Sequence, residues 1–200
     1  MKTLTEAAFL TWADGAGLCL DPQYPQSTVL VFRSDPHQNR FWEIPAEPER
    51  RPYFILSLLE LMGDWQECHV WRHLGSWPES ADPLRINDAV EWRILKGLGL
   101  PLGTEDVVKF ERAELDKLVT LMFSTTVFGW SVGEDLDIVP DHARCILQTD
   151  HHNVIHVSYR SSADGDEWVR QMEERGFALP DEVPDSTFKR PDWMKAEPQS

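Results

Sequence analysis

Between residues 124 and 159 the chain carries four short β-prone runs: "STTVFGWSV" (Ser124–Val132), "LDIVP" (Leu136–Pro140), "RCILQT" (Arg144–Thr149) and "VIHVSY" (Val154–Tyr159). The links between them are no longer than four residues. A parallel crossover needs about a dozen residues or more, so links this short force consecutive strands to pair antiparallel. The pattern predicts a four-strand meander over residues 124–159 and a predominantly antiparallel sheet.

Helical patterning surrounds this block without regular βα alternation. Helices are expected at Thr5–Trp12, at Tyr53–Met62 behind Pro52 with Gly63 as its stop, and from Asn87 to Lys96. Two more are expected over Glu111–Met122 and over Asp166–Arg175, the latter closed by Gly176 with Phe177 folding back on the last turn. Further strands are expected at Ser27–Phe32, with Phe41–Ile44 as its hairpin partner, and at Gln66–Leu74 and Asp106–Phe110. The order points to an α+β fold in which several helices pack on an antiparallel sheet. Residues 1–180 read as one domain, with a subdivision near residues 97–105 ("GLGLPLGTE") as the alternative, and residues 181–200 as a Pro-rich acidic tail.

Charge excludes several classes of partner. Thirty-four Asp and Glu against nineteen Lys and Arg give a formal net charge of −15. Nucleic-acid and anionic-lipid surfaces are recognised by clustered cations, so neither is an expected partner. A field of this sign steers basic proteins instead. No apolar run approaches a membrane span, and the first residues lack a signal peptide's charged and apolar regions, so a cytoplasmic location is expected. Cys19, Cys68 and Cys145 are widely spaced in apolar contexts and read as buried free thiols.

The histidines raise the question of chemistry. Four of seven fall in "PDHARC" and "DHHNVIH", beside Asp141 and Asp150. Asp150, His151, His152 and His156 are candidate metal ligands or acid–base partners. A polar hairpin in which Asp150 and Asn153 bond the local backbone, or a partner-facing surface, accounts for the same residues. Strand alternation puts His156 on the wetter face and makes His151 and His152, in the turn, point apart. The intervening strand spans roughly 20 Å and sets His142 at the other end of the sheet. No HExxH, GxGxxG, P-loop or GxSxG motif is present, and no cofactor is expected.

A second pattern, "CHVWRHL", alternates His69, Trp71 and His73 onto one strand face as a candidate aromatic recognition surface. Nine Trp residues suggest docking anchors, Trp130 among them, beside the acidic run Glu134, Asp135 and Asp137. With His156 these form the candidate partner-binding set. Small size, acidity and α+β patterning resemble the profile of bacterial immunity and antitoxin-type proteins. That resemblance implies a non-catalytic neutraliser of a cationic toxin domain. The first expectation is thus a non-enzymatic interaction module with an acidic, Trp-containing face for a basic protein partner. The second is a metal-assisted hydrolase centred on Asp150, His151, His152 and His156. The third is a homodimer built through the meander edge.

Overall fold

A computed structural model describes residues 1–22, 29–33, 38–73, 76–80, 86–128 and 134–180, the side chains of 86–88 excepted. In chain order the elements are β1 (Lys2–Leu4), α1 (Glu6–Gly15), β2 (Leu18–Leu20), β3 (Leu30–Phe32) and β4 (Gln38–Glu43). Then come α2 (Arg51–Leu61), β5 (Glu67–Arg72), α3 (Ile86–Leu98), β6 (Val107–Glu111) and α4 (Leu115–Phe128). The chain continues through β7 (Leu136–Pro140), β8 (Cys145–Asp150), β9 (Val154–Tyr159) and α5 (Ser162–Glu174).

The fold is α+β. Seven strands form one sheet in the order β1-β6-β5-β7-β8-β9-β4, with antiparallel pairings, and β2 and β3 form a separate two-stranded ribbon. The sheet draws strands from both sides of residues 97–105. Side chains alternate between two apolar layers, as the two-residue period of a strand requires. The larger layer takes Cys68 and Val70 from β5, Ile138 from β7 and Ile155, Val157 and Tyr159 from β9, packed against α2, α4 and α5. The smaller takes Trp71, Val139 and Ile146, covered by Phe9 and Ala13 of α1 and by Leu18, Leu30 and Phe32 of the ribbon.

Two expected strand placements are corrected. Ser124–Phe128 belongs to α4 and is not the first strand of the meander; residues 129–132 of that run lie outside the described residues, and among the described residues the meander has three consecutive strands, β7, β8 and β9. The Ser and Thr residues that suggested a strand turn their hydroxyls back into the helix. Ser124 and Thr125 donate to the Leu121 carbonyl at 2.8 and 3.1 Å, and Thr126 donates to that of Phe123 at 2.8 Å. Local side-chain bonding of this kind removes the cost of burying hydroxyls, and packing of Leu118, Leu121 and Met122 then overrides β propensity. Arg51 donates to the Thr126 carbonyl at 2.8 Å, satisfying one of the acceptors a helix leaves open at its C-terminus.

Nor do Ser27–Phe32 and Phe41–Ile44 form a hairpin. Leu30–Phe32 pairs with Leu18–Leu20, whereas β4 pairs with β9 at the sheet edge, Phe41 opposite His156. Adjacency in sequence pointed to the nearer strand. Trp42, 1% exposed, finds its burial only over the large sheet. No described helix is long and apolar enough to cross a membrane.

Candidate functional site

The face of the sheet beneath the ribbon carries a polar strip. Asp137 points into it from β7 with no exposure. Its carboxylate accepts from Gln148 Nε2 at 2.6 Å and from the Leu30 backbone N–H at 3.3 Å. Gln148 also donates to the Leu30 carbonyl at 3.3 Å, so both backbone groups of one ribbon residue are read by the large sheet. His73 Nε2 lies 3.0 Å from Asp137 Oδ2, an ion-pair distance at an angle outside hydrogen-bond range. Burial alone would lower the His73 pKa. The charge of Asp137, close against the ring, followed by the charges of Asp135 and Asp150, outweighs burial and raises it.

At the far end of this strip the β8–β9 turn gathers the predicted histidines. Asp150 Oδ1 accepts from the backbone N–H of His152 at 2.7 Å, and Asn153 N–H donates to the Asp150 carbonyl at 3.1 Å. Asn153 completes the turn at φ +65°, a left-handed conformation that Asn tolerates better than most residues. This is the locally bonded hairpin the sequence suggested. It does not send the two imidazoles apart: the rings of His151 and His152 lie against each other, tilted by 41°, with centroids 4.0 Å apart. The left-handed residue tightens the turn, and Asp150 holds His152 from below, Nδ1 to Oδ1 at 2.6 Å. The other oxygen of Asp150 meets His156 Nε2 at 3.2 Å. Burial pushes the Asp150 pKa up, but the hydrogen bond from His156 and that from the His152 backbone hold it well below the usual carboxylate range.

Asp135, just before β7, reaches across to the same turn. One oxygen accepts from the backbone N–H of His151 at 2.9 Å, and the other lies 2.9 Å from His151 Nδ1. Burial raises the Asp135 pKa from 3.8 to about 6, against the lowering effect of His151. His142 stands apart at the opposite end of β8, with Nε2 2.9 Å from the Met62 carbonyl.

The second candidate surface is covered. His69, Trp71 and His73 are 3%, 2% and 4% exposed. His69 lies under Trp12 with centroids 4.0 Å apart, and Trp71 under Phe9 at 5.4 Å. They share a strand face as the alternation predicts, but α1 occupies it, because an amphipathic helix next to that face buries more apolar area than water contact leaves. Trp42, Trp65, Trp77 and Trp168 are also buried, leaving Trp12 and Trp92 half-exposed among the described tryptophans. Of the acidic run, Asp135 and Asp137 are buried and Glu134 is half-buried. Trp130 and residues 181–200 lie outside the described residues. Cys68 and Cys145 are buried thiols whose pKa burial pushes up, the latter to about 12.

Gln148 and Thr149 are the members of this region that the sequence did not single out. Thr149 Oγ1 accepts from the Leu136 N–H at 2.8 Å, supporting the start of β7. Gln148 follows the strand alternation that places His156 on the same face, which was the available signal.

Space around the turn is small. The cavity lined by Asp135, Thr149, Asp150 and His151 holds about 10 Å³, room for about one water and no organic substrate. A roomier depression of about 530 Å³ lies over α2 and the start of α4, lined by Leu56, Leu115 and Val119, where no acid–base pair faces it.

The turn's strain is testable. Asn153→Val is expected to lower stability by about 1–2 kcal/mol, because a β-branched residue resists positive φ, while Asn153→Gly stays near wild type. Thermal melts of both variants, followed by circular dichroism, check this. Compared with known proteins, the chain matches no family model, no curated protein and no solved structure.

Proposed function

We propose that this chain is a non-enzymatic interaction module that binds a basic protein, in its most concrete form an immunity-like neutraliser of a cationic toxin domain. Uncompensated charge carries the reading. The net charge is −15, and many described cations already answer carboxylates within the chain. Lys2 and Lys109 meet Glu67, Lys117 meets Glu114, and Arg175 meets Glu60. The outer face of α5 exposes Asp164, Asp166, Glu167, Glu173 and Glu174, while its Arg170 is held between Glu167 and Glu174. Buried Trp168 and Met172 fix that helix to the body, so its acids form a rigid array. The docking face therefore moves, in this reading, from the covered His69–Trp71–His73 strand to α5.

Capture from the native host followed by mass spectrometry supplies the partner, and stopped-flow mixing of the purified pair tests the mechanism. The on-rate is expected to fall by about tenfold or more from low to physiological salt. The double charge reversal Asp164→Lys with Glu173→Lys should slow association and leave dissociation almost unchanged. An on-rate indifferent to salt, or a partner without a basic face, removes the proposal.

A further inference from the structure

We propose that Asp150, His151 and His152 bind one divalent transition-metal ion, zinc by the chemistry of the set, with Asp135 and His156 as positioning residues. This goes beyond the partner reading and stands independently of it. One ligand atom from each of the three residues can be chosen so that all lie within 4.8 Å of one another. His152 Nδ1 is 2.6 Å from Asp150 Oδ1. Ligands held at 2.0–2.1 Å around a tetrahedral zinc are separated by about 3.4 Å, so ligand atoms already gathered within 4.8 Å need only small side-chain adjustments to reach that spacing. An ion takes the place of the proton shared by Asp150 and His152, and the two groups separate by under about 1 Å to admit it.

The surrounding contacts are those a metal site needs. A ligating imidazole donates its other nitrogen to a carboxylate, which fixes ring and tautomer. Asp135 does this for His151: it meets Nδ1 at 2.9 Å and leaves Nε2 for an ion, while its second oxygen pins the backbone N–H at 2.9 Å. His156 does the equivalent for Asp150, bonding Oδ2 at 3.2 Å and leaving Oδ1 toward the imidazoles. Access exists as well, since the side chains of Asp150, His151 and His152 are 25%, 16% and 25% exposed. Imidazole with carboxylate suits zinc above magnesium or calcium, which take all-oxygen sets. Three protein ligands leave one position to water. No consensus spacing announces the site, because three consecutive residues converge only when the turn folds the second and third over the first.

The test uses full-length chain without a histidine tag, stripped of metal and titrated with zinc chloride in a calorimeter. One ion per chain is expected to bind. His152→Gln should weaken it by about 100-fold and Asp135→Asn by about 10–100-fold, while His142→Gln, at the other end of β8, leaves it unchanged. Cobalt(II) at the same site should give a visible absorption band of tetrahedral intensity, lost in His152→Gln. Circular dichroism of each apo variant separates loss of ligand from loss of fold. If His152→Gln does not fold, Asp135→Asn and the cobalt spectrum of the wild type decide. Binding weaker than millimolar in a folded wild type overturns the proposal, as does zinc lost on His142→Gln but kept on His152→Gln and Asp135→Asn.

Discussion

Asp137→Ala is expected to lower the unfolding free energy by about 3–5 kcal/mol, the range for removing one partner of a buried charged pair. The alanine takes away the acceptor that Gln148 Nε2 and the Leu30 N–H share. It also strips the counter-charge from His73, itself 4% exposed. Each buried donor left without a partner costs about 1–3 kcal/mol, and water has little access here to replace the carboxylate. Because Asp137 and Gln148 together bond the backbone of Leu30, the loss should also loosen the β2–β3 ribbon. Protection of the Leu30 amide against hydrogen exchange ought to fall further than that of Val157 in the centre of the sheet.

Asp137→Asn separates charge from shape. It keeps an acceptor for the Leu30 N–H but removes the field that raises His73. A histidine whose folded pKa is raised stabilises the fold fully below its unfolded value, near 6.5, and loses that contribution as pH rises through the folded pKa. The stability difference between wild type and Asp137→Asn should therefore shrink as pH rises above about 6.5. Urea denaturation at several pH values measures both variants. A cost below about 1 kcal/mol for Asp137→Ala would mean that water reaches the carboxylate.

Much of this architecture was legible in the sequence, and the reason is local. Leu136–Pro140 and Val154–Tyr159 carry strong β patterning between short polar links, so their spans and their antiparallel sense follow from sequence distance alone. Gly63 and Gly176, at φ +85° and +86°, likewise stop α2 and α5 where glycine was read as a terminator. The misplacements needed non-local information. Whether "STTVF" extends a helix or opens a strand depends on what Leu121 and Met122 pack against, and β4 chooses β9 over the ribbon for the burial of Trp42. The candidate site divides the same way. Alternation put His69, Trp71 and His73 on one face, but nothing within that strand says α1 will cover it. The Asp150–Asn153 turn was legible from its Asp and Asn, while the arrival of Asp135 beside His151, sixteen residues away, belongs to the pairing of β7 with β8.

His69 gives the clearest expected effect of pH. Its ring lies against those of Trp12 and Phe9, with centroids 4.0 and 5.6 Å away, and its Nδ1 has no hydrogen-bond partner. Burial, followed by the charge of Lys109, lowers its pKa from 6.5 to about 4. The folded state thus binds fewer protons than the unfolded chain between those values, and stability must fall as pH drops through that window. At about 1.4 kcal/mol per pH unit, the loss reaches about 3 kcal/mol near pH 4. The wild-type curve alone conceals this, because Asp135, raised to about 6, acts in the opposite direction over nearly the same range. A carboxyl that holds its proton longer in the folded state gains stability as pH falls from about 6 toward 3.8. The informative quantity is therefore the difference between His69→Phe and wild type. Phenylalanine keeps the ring contacts with Phe9 and Trp12 and removes the titrating nitrogen. The difference should be nearly independent of pH above 6.5 and then shift in favour of the variant by about 3 kcal/mol as pH falls to 4. A flat difference would mean that the imidazole accepts its proton in the folded chain as readily as in water. That requires α1 to lift from the sheet, with the seal of Phe9 and Trp12 over β5 opening at a cost well below that of global unfolding.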